Sequence, residues 1–308
     1  EAEAIFREGC ELYTDSVGFH GNLGRLLLMR GQAGRAVVPL QRAVLIAPEN
    51  PDQRAALLKA YYGYGFSEYR EETRRAMILC LRDPMQNHML MTGACLSMLL
   101  IDPALNGMIE AFSSPDYESF CDRITSEIMS QSLNDELLLW SMRRLMINNI
   151  NLERGLTYLR RWFLDHVDDE DRLNKFLPFL SILSRYCHFN EYAFSYVSEE
   201  ENMIISLRAT AQTPVCVALL GAYEPLAHHP RAKFFCSMVS CEDDDFKELI
   251  RTQINEPLEE EKIAQSIPSV SDIDDRVSQE VRSQYEENPY PRWKSVGATS
   301  VPEPVREL

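Results

Sequence analysis

Few residues of this chain stand at spacings that could do chemistry. Cys187 beside His188 offers the types of a thiolate and its general base. Neighbouring residues of a helix point about 100° apart, so the two cannot share the hydrogen bond that activates a thiol. His228-His229 with Cys236 and Cys241 offers metal-ligand types, but the intervals match neither a C-x2-C nor an H-x3-5-H arrangement, and Phe234-Phe235 marks Cys236 as core. No metal is expected there. Arg143-Arg144 and Arg160-Arg161 could grip a phosphate. Asp165, Asp168, Asp169, Glu170 and Asp171 stand close by in sequence, so solvation or pairing with acids is the expected state. Asn22 and Arg25 lie one helical turn apart, with Lys59 as a later counterpart of Arg25. Together they form either a solvated polar face or a groove whose amide and cations bind the backbone or carboxylates of an extended peptide.

These side chains must be positioned by helices. Leu23-Gly24, Leu27, Gly31, Ala36, Leu40, Ala43 and Pro48 occupy the small, large and breaker positions of a tetratricopeptide repeat running over about residues 17–50. Gly24 and Ala36 are then where two antiparallel helices approach, Leu27 and Leu40 fill the gap, and Pro48 ends the second helix. Ala2, Phe6 and Gly9 repeat the spacing of Ala36, Leu40 and Ala43, which predicts a preceding unit cut short and further repeats before Glu1. A third unit starts at Leu57-Leu58 and Tyr61 and slips in register through Gly63-Tyr64-Gly65.

Residues 84–211 read as successive helices, with Asp83-Pro84, Asp102-Pro103 and Ser114-Pro115 each able to cap and start the next one. Apolar stripes predict helices over 136–148, 152–166 and 176–189. A further helix over about 274–287 carries Val277, Val281 and Tyr285 on its packed face. The fold class expected is all-α. It divides into repeat-like hairpins (1–85), an irregular helical domain (86–250), and an acidic helical linker with an extended arm (251–308).

The chain carries 47 acidic against 31 basic residues, and the net charge of −16 opposes nucleic-acid and anionic-membrane partners. Its longest uncharged apolar run, about 89–101, is shorter than the roughly 18 residues of a membrane span. Glu1-Ala2-Glu3-Ala4 is unlike a signal peptide, and the eight cysteines sit mostly singly in apolar patterns, which predicts reduced core thiols in a cytoplasmic protein.

The segment Tyr285-Glu286-Glu287-Asn288-Pro289-Tyr290-Pro291-Arg292-Trp293 packs two prolines and three aromatics into an acidic tail, which predicts a stiff arm that docks on a surface. It resembles the segment ahead of the S-adenosylmethionine-binding domain in a bacterial family of tetratricopeptide-repeat methyltransferases. The strings 187–192, 219–226 and 253–257 resemble the same family. The resemblance implies a class I methyltransferase domain beyond Leu308, with Tyr285, Asn288, Tyr290, Arg292 and Trp293 flanking its cofactor pocket or clamping it to the helical region. These residues contain no glycine-rich strand-to-helix turn, so S-adenosylmethionine is implied for the parent protein and no cofactor for this chain. The function expected is a non-catalytic region that positions a partner or substrate, with a protein or peptide on the first-helix face. The alternatives are a free-standing scaffold and, more weakly, a repeat region attached to a glycosyltransferase.

Overall fold

The computed structural model describes residues 1–240, 243–267 and 275–287, and every regular element among them is a helix. They fall into two compact units, Glu1–Tyr158 and from Leu159 onward.

In the first unit, α1 (Ala2–Leu12), α2 (Val17–Met29), α3 (Ala33–Ile46), α4 (Pro51–Tyr61) and α5 (Glu71–Arg82) pack in succession. The Ser16 hydroxyl accepts from Phe19 N to start α2. Asn50 Oδ1 accepts from the amides of Asp52 and Gln53 to start α4, with Pro51 in its first turn. Between α2 and α3 the chain reverses in Arg30-Gly31-Gln32, where Gly31 takes φ +70°, a conformation costly for side chains with a Cβ. A Cβ on Gly24 would lie 2.3 Å from Leu40 Cγ, so the backbone of α2 rests on that side chain as the glycine and leucine spacing predicts. Ala36, Leu40 and Ala43 are wholly buried beneath it. Replacing Ala36 by Leu is expected to cost about 1–3 kcal/mol, because no room exists for the added methylenes. A thermal melt with an unchanged midpoint would show that α2 and α3 are not close-packed there.

The slip in register after Tyr61 is a longer connection, residues 62–70, before α5 begins. A buried polar chain ties the three helices: Gln41 Nε2 donates to the Tyr61 hydroxyl, and Thr73 Oγ1 donates to Gln41 Oε1.

The unit continues through α6 (Thr92–Ile101), α7 (Asn106–Phe112), α8 (Tyr117–Arg123), α9 (Ser126–Ser132), α10 (Glu136–Arg144) and the start of α11 (Ile150–Asp165). Among the described residues no single helix is long and apolar enough to cross a membrane. Asp83 and Asp102 do not start helices. Their carboxylates accept from Met85 N and Ala104 N and so close turns, and α8 is capped by Asp116 rather than Ser114. The helix expected over 136–148 stops at Arg144, because Leu145 turns extended and both Leu145 and Ile147 are buried in that conformation. Arg74 of α5 binds Asp102, at the end of α6, through Nε at 2.8 Å, and binds Asp135, which caps α10, through Nη2. Through α5 and α10 the repeat-like helices therefore share one unit with helices beyond residue 85.

The second unit takes the end of α11, α12 (Glu170–Asn174), α13 (Leu177–Phe189), α14 (Ser198–Thr210), α15 (Pro214–Gly221), α16 (Ala232–Ser237), α17 (Asp244–Ile250), α18 (Glu256–Ser266) and α19 (Arg276–Glu287). Between α17 and α18 residues Arg251–Asn255 form a π turn, whose extra residue per turn aims a buried Gln253 at α13. Ile267, next to Pro268, is extended and ends α18, as a residue before proline must. Contrary to the sequence pattern, Val277 and Val281 of α19 are 63% and 44% exposed. Asp275 caps this helix, its carboxylate accepting from Ser278 N at 2.8 Å.

Candidate functional site

Arg35, Val38 and Arg42 stand at i, i+3 and i+7 along α3 and therefore share one face of it. With Arg7 of α1, His20 of α2 and Arg70 at the start of α5, they line an open cleft of about 540 Å³. Its apolar floor includes Leu23 and Leu27. One carboxylate, Glu3, serves three guanidinium groups: Oε1 accepts from Arg7 at 3.0 Å and Arg35 at 2.7 Å, and Oε2 from Arg30 at 2.5 Å. The hydrogen bond from Arg7, with the charges of Arg35, Arg7 and Arg30, outweighs desolvation and holds the Glu3 carboxyl below its ordinary value. Arg42 pairs with Asp15 at 2.7 Å and Arg70 with Glu68 at 3.4 Å.

A second polar cluster lies in the core of the other unit. Arg160 is 1% exposed and, among the described residues, the largest of the fully buried side chains. Its Nη1 donates to the carbonyl of Ala222 at 3.2 Å, and Nη2 donates to those of Phe194 at 3.1 Å and Ser195 at 2.8 Å. The guanidinium carbon stands 4.1 Å from the centroid of the Tyr223 ring, whose hydroxyl donates to the buried Glu200 at 2.7 Å. Burial, and then the Glu200 carboxylate, push the Tyr223 phenol far up against the pull of Arg160, so it acts here as a donor. Gln253 donates from Nε2 to Ser184 O, Ser184 Oγ and Gly221 O, each at 3.0 Å, while Oε1 accepts from Tyr192 OH. Tyr192 and Glu191 both take φ +55°, a rare conformation that this network holds in place. The cluster is a structural pin for the 190–197 segment.

Asn22 is exposed and Arg25 half-buried on α2, and Lys59 is exposed on α4. Their helices pack where Gly21 meets the Gln53 side chain, and none of the three lines the α3 cleft. Tyr285 falls in α19 with its side chain outside the description, and Asn288, Tyr290, Arg292 and Trp293 lie outside the described residues. Cys187 is fully buried, which pushes its thiol up to about 12, and His188 Nδ1 faces the Tyr192 hydroxyl at 3.3 Å. That geometry makes no nucleophile and base pair. His228 pairs with Glu261 at 3.0 Å, His229 Nδ1 accepts from Arg231 N, and Cys236 faces Asn255, so these residues serve separate contacts. Cys241 lies outside the described residues, and Cys236 and Phe234 are partly exposed rather than core. Cys121 is exposed, unlike the buried Cys80, Cys95, Cys187 and Cys216.

Arg35 and Arg42 stand seven residues apart with Val38 between them on the same α3 face, a spacing legible in the sequence. No sequence signal separates Arg160 from Arg161. Arg161 does approach an acid, Asp165 at 4.0 Å, as expected, whereas Arg160 is neither solvated nor paired with one of the expected aspartates. Comparison with protein families, with curated proteins and with solved structures finds no match to this chain.

Proposed function

We propose that this chain is a helical scaffold that binds a protein partner. The observation that carries the reading is the stack α1 to α5, which leaves an open, arginine-lined cleft on an ordered helical frame. Open concave surfaces on stacked helical hairpins are a common means of protein recognition. In the other unit the buried polar cluster of Arg160 and Gln253 is consumed in holding its own backbone.

The finer form of the proposal is the non-catalytic, substrate-positioning region of a tetratricopeptide-repeat, S-adenosylmethionine-dependent methyltransferase in a bacterial cytoplasm. Its support is the sequence of 285–293 and of the shorter strings 187–192, 219–226 and 253–257. The parent reading frame after Leu308 tests it: a glycine-rich β-turn-α sequence supports the methyltransferase, and an immediate stop codon removes it. The scaffold reading has its own test, affinity capture from lysate with the heat-denatured chain as control. A discrete protein retained by the folded chain in near-stoichiometric amount is expected. Identical capture by folded and denatured chains would refute a folded binding surface.

A further inference from the structure

We infer that the α3 cleft takes an extended acidic segment of the partner, with carboxylates interleaved with aliphatic side chains. The inference rests on the scaffold reading and moves the contact from the face of Asn22, Arg25 and Lys59 to that of α3. Charge balance is the first ground. The chain as a whole carries −16, yet the cleft is lined by Arg7, Arg35, Arg42 and Arg70 against Glu72 alone among the acids. Behind that lining, three guanidiniums share the single carboxylate of Glu3. A guanidinium has five N–H donors. Arg7 engages Nε and Arg70 engages Nη2, so donors are left over for an incoming carboxylate. Glu3 itself shows the fit, since each of its oxygens meets arginine.

Shape decides for an extended segment over a small anion. A second cavity of about 160 Å³ adjoins the first and shares Val38, Gln41, Arg70 and Thr73 with it. Arg35 to Leu45, the stretch of α3 along the cleft, spans roughly 15 Å of helix, the length of about five extended residues. Val38, 62% exposed in the middle of this face, and the leucines of the floor give aliphatic side chains a place between the arginines. A long polyanion such as nucleic acid would meet the field of the whole acidic chain. A short segment meets mainly charges within about 10 Å, which here are the lining arginines Arg7, Arg35, Arg42 and Arg70 together with Glu72 and with Glu3, Asp15 and Glu68 that pair with them.

The test uses the whole chain and a fluorescein-labelled peptide of alternating Glu and Leu, followed by fluorescence anisotropy at low and high salt. Saturable binding that weakens with salt is expected, with a loss of at least about tenfold for Arg35→Glu with Arg42→Glu and none for Asn22→Ala with Lys59→Ala. If the double reversal lowers the melting temperature, Val38→Glu at its exposed position replaces it and is expected to show a similar loss. Several results would overturn the inference: equal affinity of the folded cleft variants, equal binding of a Lys and Leu peptide, equal binding of a thymidine oligonucleotide, or no binding at low salt. Sizing that shows the cleft buried in a dimer of this chain would overturn it too. If the lysate partner is retained by the cleft variants, the scaffold reading stands and this inference alone falls.

Discussion

Arg160→Met is expected to destabilise the second unit by about 2–5 kcal/mol, a large share of the ~5–15 kcal/mol by which domains are stable. The methionine fills much of the space but donates nothing. The buried carbonyls of Ala222 and Phe194 each lose their guanidinium donor, and a buried acceptor left unpaired costs about 1–3 kcal/mol, whereas the carbonyl of the exposed Ser195 can turn to water. Tyr223, whose hydroxyl donates to the buried Glu200, loses the guanidinium that stands over its ring. Arg160→Lys recovers part of the loss, since an ammonium keeps the charge but lacks the planar fork that reaches two backbone segments at once. Urea unfolding followed by circular dichroism measures both variants. A change below about 1 kcal/mol for the methionine would mean that the guanidinium is not what pins segment 190–197.

That arginine also marks where sequence reading stops. The α2 and α3 hairpin was legible because each of its devices is local: Gly31 permits the left-handed turn, Gly24 admits Leu40, and Asn50-Pro51 starts the next helix. Arg160 and Arg161 are the same residue type on the same helix, and only the tertiary placement of carbonyls 34, 35 and 62 residues away distinguishes them. The π turn that delivers Gln253 gives no periodic signal of its own. For α19 the valine spacing reads as a packed face, but Val277 and Val281 meet solvent because a pattern of period 3.6 states which residues share a face and not what covers it. The cleft lay between these extremes. Its α3 edge is periodic in sequence, while Arg7, His20 and Arg70 join it only through the packing of α1, α2 and α5.

Arg74→Met is the companion case in the first unit, and a loss of about 3–5 kcal/mol is expected there too. Asp102 and Asp135 are buried, and their side chains converge on this one guanidinium from the end of α6 and the start of α10. Each carboxylate keeps local work after the change, because Asp102 still accepts from Ala104 N and Asp135 still caps α10 through Leu138 N. What is lost is the guanidinium that bridges them, so two buried negative charges are left facing each other's field. Replacing one of them should therefore cost less in the Arg74→Met background than in the native chain. A double-mutant cycle with Asp102→Asn, read by urea unfolding, should give a coupling of about 1–3 kcal/mol. Additive losses would show that Arg74 and Asp102 contribute independently. The tie from α5 to α10 would then rest on their other contacts: the Arg82–Glu136 pair, Arg144 Nε donating to Leu81 O at 3.2 Å, and the apolar residues each helix buries, Ala76, Met77 and Cys80 on α5 and Leu137, Leu138 and Met142 on α10.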